Sequence, residues 1–333
     1  MTMKKLIIAF IALFLIMAAT PAIISLAAYI PVFSSATDDN ISQIESKTHT
    51  DSKADKTTNA SEASSPDEKV FVIKEGENSR EITAKEAVAG TLAAIMPSDY
   101  NKESSKALAA AVYSTLMSKA GSSKAQIADS DPFLAADEAK EERGDKFYSR
   151  CEDYADFALN TKIEYNGKPV ELLIFNSCAG ATMNPSDILS SPLPCHQSVS
   201  SPWDMYSNIS YEKSFTSSEV EKILKESFGA DEAPEDIKNA IKIKSTAPNG
   251  TVLEAEVCGN PTDGIEIMNA FSLKSPCFTV GSDDGGIIFN VAGEGIPVGM
   301  SVIGADGMAS QGAGWEEILS HYYCDIDISN NED

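Results

Sequence analysis

An uncharged run extends from Leu6 to Phe33 and directly follows Lys4 and Lys5. The run is longer than the roughly 20 apolar residues that a helix needs to cross a hydrocarbon core. Signal-peptide cores are shorter, about 7–15 residues. We therefore expect residues 1–33 to form an uncleaved transmembrane anchor, although Ala27-Ala28 leaves cleavage open. Because two lysines precede the run, the C-terminal remainder is predicted to lie outside the cytoplasm, in a single-pass arrangement at the cell membrane.

The segment after the anchor, residues 34–68, is polar and charged and has almost no large apolar side chains. Such a composition cannot bury enough apolar surface to offset the entropy of ordering, so the segment is predicted to be a disordered linker. One folded domain is then expected over residues 69–328, followed by a short acidic tail over residues 329–333.

The chain carries 50 acidic and 26 basic residues, for a formal net charge of −24. A surface this negative repels phosphate backbones, so nucleic acid is excluded as a partner. The charge gives no information about uncharged glycans.

The six cysteines all follow the predicted anchor, at Cys151, Cys178, Cys195, Cys258, Cys277 and Cys324. An even number of cysteines in an oxidising compartment permits three disulfides, in any of 15 pairings, and we expect most of the thiols to be paired in this way. The chain has no C-x-x-C motif and three histidines. Metal ligation and a reactive thiol remain as alternatives.

The pattern over the folded part predicts an α+β domain with Ala-rich N-terminal helices, antiparallel hairpins and a C-terminal helix. Val70 to Ile73 indicate a first strand, and Thr83 with Glu86 has the spacing of a capping box at the start of the first helix. Hairpin turns are predicted at Asn166-Gly167, at Asn249-Gly250 and at residues 283–286.

Three further segments carry weaker expectations. The run Glu171–Phe175 is predicted to be a strand that leads to Asn176. A helix over residues 215–229 is expected to begin with a capping box of Ser218 and Glu221. The polar stretch over residues 122–154 is expected to be a mobile insertion.

Four stretches, in this order, resemble the stage II sporulation protein D family, whose members are membrane-anchored peptidoglycan lytic transglycosylases that act during forespore engulfment. They are "AVAGTLAAIMPSDYNKESSKALAAAVYSTLMSKA", "FNSCAGATMNPSDIL" with the later "SPWD", "MNAFSLKSPCFTV", and "GEGIPVGMSVIGADGMASQGAGWEEILSHYY". Each motif alone is weak, but their order over about 250 residues is specific. The resemblance implies peptidoglycan glycan strands as the ligand, and other engulfment proteins, such as stage II sporulation proteins P and M, as partners.

The resemblance also shows where this chain departs from the family. A lytic transglycosylase needs a carboxyl group that protonates the glycosidic oxygen, and the family supplies it as the Glu of a Glu-Met-Pro turn. Here that position is Ile95, which cannot transfer a proton. Histidine positions of the family are Asn176 and Ile296 in this chain. Asp99 and Asp204 are the candidate substitute acids, although the pattern favours an ordinary helix cap or surface carboxylate for each.

A substrate groove is implied at the glycine-rich motifs, through Ser177, Gly180, Gly295, Gly299, Met300 and Ser301. The alternative is that these glycines serve tight turns and need no ligand. Family resemblance also suggests a zinc site, for which Cys178, Cys195 and His196 are the candidate ligands, although their spacing matches no standard zinc pattern.

Three hypotheses follow. The first is a catalytically impaired protein that binds glycan strands or engulfment partners. The second is an active lytic transglycosylase with a relocated acid. The third is a disulfide-stapled surface domain with an unrelated role. The residue that separates the first two is Ile95.

Overall fold

A computed structural model describes residues 70–75, 78–120, 126–128, 130–189, 193–207, 209–230, 237–283 and 285–330. The predicted anchor and linker lie outside these residues. Among the described residues, no helix combines the length and the apolar character that a membrane crossing requires.

The described residues form both helices and strands, as the α+β prediction requires. The α-helices are α1 (Ala84–Ile95), α2 (Lys102–Ala120), α3 (Ala136–Arg143), α4 (Asp145–Leu159), α5 (Pro185–Ile188), α6 (Ser217–Phe228), α7 (Gly264–Ala270), α8 (Val302–Ser310) and α9 (Trp315–Tyr322). The strands are β1 (Val70–Glu75), β2 (Asn78–Thr83), β3 (Gln126–Ile127), β4 (Thr161–Tyr165), β5 (Lys168–Pro169), β6 (Ile174–Phe175), β7 (Ser210–Thr216), β8 (Ile241–Thr246), β9 (Val252–Val257), β10 (Asn260–Thr262), β11 (Phe278–Ser282), β12 (Gly286–Ala292), β13 (Met300–Ser301) and β14 (Asp327–Asn330). Two 3₁₀ helices cover Pro202–Ser207 and Ile237–Asn239.

The described residues belong to two compact units. The smaller unit is one stretch, Ile209–Ile296, and the larger unit contains the described residues before and after that stretch. The single domain that the sequence predicts over residues 69–328 therefore contains two units, and its last strand, β14, continues to Asn330.

The core of the larger unit is built around α2, which packs against α1, α4, α8 and α9. Its alanines, among them Ala107, Ala109 and Ala111, are fully buried. Small side chains let the neighbouring helices approach the α2 backbone closely. The capping box of Thr83 and Glu86 at the start of α1 is present as predicted.

The described part of the polar stretch over residues 122–154 is largely helical and packed, so the expectation of a mobile insertion is wrong. It contributes α3 and the first part of α4, and α4 lies against α1 and α2. Phe147, Cys151 and Ala155 of α4 are buried in the core. Their spacing of four residues places them on one helix face.

The predicted strand over Glu171–Phe175 forms a strand only at Ile174 and Phe175. The backbone of Val170 and Leu172 forms hydrogen bonds with side chains of α2 instead. The Thr115 hydroxyl donates to the Leu172 carbonyl at 3.0 Å and accepts from the Leu172 amide at 2.9 Å, and Ser114 donates to the Val170 carbonyl at 2.8 Å. These side chains satisfy the backbone groups that a neighbouring strand would otherwise take.

The hairpin at Asn166-Gly167 joins the antiparallel strands β4 and β5. Both turn residues have positive φ, 52° and 73°, as a type I′ turn requires. β14 pairs with the other edge of β4 to complete a three-stranded sheet.

The smaller unit contains two three-stranded sheets, in the orders β10-β9-β8 and β11-β12-β7. Both remaining hairpins are confirmed: β8 pairs with β9 across Asn249-Gly250, and β11 pairs with β12 across residues 283–285. The capping box of α6 is formed by Thr216 and Glu219, two residues before the predicted pair. The core of the smaller unit is apolar and contains a cluster of packed phenylalanine rings, Phe215, Phe271, Phe278 and Phe289.

Candidate functional site

Two of the glycine-rich motifs meet in the larger unit through the parallel pairing of β6 with β13. Ile174 lies opposite Met300 and Phe175 lies opposite Ser301. Gly299 precedes this pair with a φ of 88°, and a Cβ at that position would collide with the Leu173 carbonyl oxygen. Gly299 is therefore required by a close backbone approach, with no ligand involved.

Asp204 lies at the centre of the motifs and is 2% exposed. Its Oδ1 accepts hydrogen bonds from the Cys178 amide at 3.0 Å and from the Ser301 hydroxyl at 2.7 Å. Its Oδ2 accepts from the Ser201 hydroxyl at 2.5 Å and from the Cys178 thiol at 3.4 Å. The Ser201 oxygen is in turn 2.7 Å from the Tyr322 hydroxyl. We call Cys178, Ser201, Asp204, Ser301 and Tyr322 the Asp204 cluster.

The donors of the Asp204 cluster have a defined direction when the carboxyl is ionised. An ionised carboxylate only accepts, so Ser201 donates its one hydroxyl proton to Asp204. The Tyr322 hydroxyl must then donate to the Ser201 oxygen. The Ser301 oxygen also caps α8, because it accepts from the Gly304 amide at 2.9 Å. One carboxylate therefore joins the strand end at Cys178, the 3₁₀ helix, the start of α8 and the end of α9.

Burial governs the ionisation of this cluster. Burial raises the pKa of Asp204 above its ordinary value, and the hydrogen bonds from Ser201, Ser301 and Cys178 oppose that shift. Burial also raises the pKa of the Cys178 thiol, as does the negative charge of Asp204. A thiol that stays protonated is a poor nucleophile and a poor metal ligand.

Glycines on α8 allow the cluster to pack against that helix. A Cβ on Gly304 would collide with the Tyr322 hydroxyl, the Ser201 hydroxyl and the Asp204 carboxylate. A Cβ on Gly307, one turn later, would collide with the Trp203 side chain. The two glycines are therefore explained by packing.

An aromatic surface lies next to the Asp204 cluster. The ring of Trp203 contacts that of His321 edge to face, with centroids 5.5 Å apart, and both residues are half-buried. Met205 lies on the same 3₁₀ helix as Trp203. It is a large apolar side chain that is nevertheless 67% exposed, which is unusual among the described residues. We call Trp203, Met205 and His321 the Trp203 surface.

The predicted groove residues are mostly below the surface. Ser177, Met300 and Ser301 are at most 1% exposed, and Gly299 is also buried. Gly180 is half-buried and lies against Met205. Gly295 belongs to the smaller unit, where its amide donates to the Lys274 carbonyl at 2.7 Å. The groove stays a prediction, and within the larger unit Gly180 is the one of these residues that is not buried.

The candidate zinc ligands do not form a cluster. Cys178 is bonded to Asp204, and both ring nitrogens of His196 are occupied. His196 Nε2 accepts from the Leu173 amide at 3.0 Å, so Nδ1 carries the proton and donates to the Pro194 carbonyl at 2.7 Å. Burial lowers the pKa of His196, which favours this neutral form. Across the described ranges, no three His, Cys, Asp or Glu side chains are gathered as a metal ion would need.

All six cysteines carry free thiols. The prediction that most of them are paired in disulfides is therefore wrong. The reason is visible in the smaller unit, where Cys277 lies opposite Thr251 at the start of β9 and Cys258 follows the end of β9. At about 3.3 Å per residue, a strand of this length separates two thiols far beyond disulfide reach. The free thiols therefore do not support the hypothesis of a disulfide-stapled domain.

Ile95 is the last residue of α1, and it packs partly buried against the core of the larger unit. The turn that follows is held by arginines. Arg143 donates to the carbonyls of Ala93 and Met96, both at 2.8 Å, and Arg150 donates to the Ser98 carbonyl at 2.9 Å. These three hydrogen bonds hold the turn in place. The turn carries the aliphatic side chain of Ile95 where the resemblance predicts an acid.

The two candidate substitute acids have opposite environments. Asp99, in the turn after Pro97, is exposed. Asp204 is almost completely buried and bonded to four donor groups. Asp204 is recognisable in the sequence as a candidate, but its partners Ser201 and Tyr322 are not. The signal was present, since Ser201 lies in the quoted Ser-Pro-Trp-Asp segment and Tyr322 in the final His-Tyr-Tyr, but nothing local joins them.

The fold and the cluster together define a class of protein: an α+β protein in which one buried aspartate joins three separated sequence motifs. Two curated proteins are similar to the chain over most of its length, and no family model matches it. Stage II sporulation protein D of Bacillus amyloliquefaciens is 29% identical over 262 residues, which cover 74% of each chain. Stage II sporulation protein D of Bacillus subtilis (strain 168) is 27% identical over 262 residues, which cover 74% of this chain and 75% of that protein. The chain is thus a relative of the stage II sporulation protein D family, and the resemblance predicted from its motifs is confirmed.

Proposed function

We propose that this protein acts in sporulation, as a membrane-anchored protein that binds peptidoglycan glycan strands without cleaving them. The relationship to two stage II sporulation D proteins supports the sporulation role. The observation that carries the loss of cleavage is Ile95, whose side chain packs against the core at the end of α1.

Asp204 does not replace the missing acid in this proposal. General acid catalysis requires a carboxyl within hydrogen-bond reach of the glycosidic oxygen. Asp204 is 2% exposed and its oxygens already accept four hydrogen bonds. To donate a proton to a sugar it would have to leave Ser201, Ser301 and Cys178. Its environment suits a structural anchor.

The Trp203 surface is the proposed point of contact with a glycan. Aromatic rings offer a large, rigid apolar area with a polar edge, and sugar rings have apolar faces of similar size. Gly180 adds accessible backbone beside Met205. The negative charge of the chain does not oppose an uncharged polysaccharide.

The membrane location and the engulfment partners are parts of the same proposal. Residues 1–33 would hold the described units at the outer face of the membrane, beside the wall. The full-length protein is then expected to remain with membranes in a carbonate wash, and recovery of the protein in the soluble fraction would contradict this part.

Co-sedimentation of the full-length protein with insoluble glycan strands stripped of peptides tests the binding. We expect the wild-type protein to sediment with the strands, and Met205→Gln to reduce the bound fraction several-fold because the exposed apolar contact is lost. Asp153→Asn, a change at an exposed residue of α4 in the same unit, is the control and should bind as the wild type does. Absence of wild-type binding would reject the proposal, and equal binding by Met205→Gln would reject the Trp203 surface as the contact.

A further inference from the structure

Cys195 and Cys324 occupy facing positions although they are 129 residues apart in the sequence. An antiparallel bridge pairs His196 with Tyr323, and the two cysteines are the next residues outward from that bridge. The Cys324 amide donates to the Cys195 carbonyl at 2.9 Å. Both belong to the larger unit.

This register suits a disulfide. Residues that face each other in a hydrogen-bonded antiparallel pair have Cα atoms about 5.5 Å apart, and disulfides span Cα separations of about 4.4–6.8 Å. Cys195 itself lies in a turn with a φ of 65°, so the proposal rests on this backbone proximity and not on the side-chain directions of a regular strand pair. Burial, and after it the nearby Cys324 thiol, raises the pKa of the Cys195 thiol to about 11.

The other cysteines lack such a partner in the described residues. Cys178 is engaged with Asp204, Cys151 is buried within α4, and Cys258 and Cys277 lie at opposite ends of a strand. We propose that Cys195 and Cys324 form a site of oxidative cross-linking, at which a small-molecule disulfide converts the two free thiols into one intramolecular disulfide.

The reaction with oxidised glutathione is balanced. Cys324 is half-buried and Cys195 is 4% exposed, so the Cys324 thiolate attacks first, breaks the glutathione disulfide and releases one glutathione thiolate. The Cys195 thiolate then attacks the mixed disulfide and releases the second glutathione. The two protein thiols lose two electrons and two protons, and the reagent takes up both.

The cross-link would stabilise the arrangement around the Asp204 cluster. Cys324 follows α9 by two residues, and Cys195 precedes Ser201, the residue that Tyr322 of α9 contacts. The bond would close a loop of about 130 residues, and long loops lose the most unfolded-state entropy. We expect the oxidised protein to unfold roughly 10 °C above the reduced protein.

The test uses the full-length protein, equilibrated with oxidised glutathione and then alkylated without reduction. We expect four alkylated cysteines and one proteolytic peptide pair that joins Cys195 to Cys324 with a mass two hydrogens below that of the separate thiols. Cys195→Ser and Cys324→Ser should both abolish the pair and the rise in melting temperature. Cys258→Ser, another partly exposed cysteine, should leave both unchanged.

Two results would overturn the proposal. One is complete alkylation of Cys195 and Cys324 after equilibration, or a cross-link of either to another cysteine. The other is protection from alkylation that a chelator removes, because that would show metal ligation at these thiols.

Discussion

Replacement of Asp204 by asparagine is expected to lower the free energy of unfolding of the larger unit by about 3 kcal/mol. An asparagine keeps one carbonyl oxygen for the Cys178 amide and the Ser301 hydroxyl. Its amide nitrogen, however, faces Ser201, which can no longer donate there. Two hydrogen bonds to a charged acceptor are lost, from Ser201 and from the Cys178 thiol. The thiol is a weak donor, and the Ser201 bond alone costs about 1.5–3 kcal/mol.

A second cost arises because Ser201 must reverse its hydroxyl. It would then accept from the new amide and donate to Tyr322, and the buried Tyr322 hydroxyl would lose the acceptor that it has at 2.7 Å. An unsatisfied buried donor costs about 1–3 kcal/mol. Removal of the buried charge offsets part of this loss of stability, because the folded state no longer has to desolvate a carboxylate. The balance of about 3 kcal/mol corresponds to a fall of roughly 6–12 °C in melting temperature.

Tryptophan fluorescence during urea unfolding measures this change in the correct unit. The chain has two tryptophans, Trp203 and Trp315, and both belong to the larger unit. Asp99→Asn makes the same chemical change at an exposed site and should stay within about 0.5 kcal/mol of the wild type. If Asp204→Asn also stays within that range, the Asp204 cluster does not hold the motifs together.

Three further predictions follow from the same contacts. Gly304→Ala should destabilise the larger unit by about 3 kcal/mol in the same assay, because its methyl group has no room beside Tyr322. Gly314→Ala has open space but changes the N-cap of α9, so it should cost about 1 kcal/mol. Equal effects of the two variants would contradict the packing role of Gly304. Burial raises the pKa of Asp204 above its ordinary value of 3.8, so the native state keeps a proton that the unfolded chain releases. The wild type should therefore gain stability relative to Asp204→Asn as the pH falls from 7 towards 4. A relative loss of stability would show that the native-state pKa is lowered. Ile95→Glu should not create glycan cleavage. Arg143 lies at the same turn and favours the ionised form of the new carboxyl over the protonated form that could donate to a sugar. Release of anhydro-sugar products by this single variant would show that the rest of the catalytic site is intact.

Local signals predicted local structure well. Asn166-Gly167 sets a hairpin through its own backbone preferences, and Thr83 with Glu86 begins α1 by bonds within four residues. The stretch over residues 122–154 misled because α3 is almost entirely polar, with Ala139 its one buried residue. The apolar face of α4, which begins in that stretch, was periodic enough to be recognised.

The candidate site was less predictable for a physical reason. The bonds of Asp204 reach Ser301 and, through Ser201, Tyr322, roughly 100 residues or more further along the chain. Only the fold brings these positions together. The glycines of the C-terminal motif looked like the floor of a groove, yet Gly299 and Gly304 are explained by close contacts with backbone and side chains. Their spacing alone cannot distinguish a close internal contact from a ligand contact.

The most direct test of the central claim measures the anhydro-muramic acid ends released from peptide-free glycan strands by the full-length protein, with a stage II sporulation protein D of Bacillus as the positive control. Because Ile95 replaces the expected acid and Asp204 is buried with its oxygens already hydrogen-bonded, we expect this protein to sediment with the strands and to release no such ends above background. Release at a rate comparable with that of the control would show that the protein is catalytically active, and Asp99→Asn and Asp204→Asn would then locate the acid.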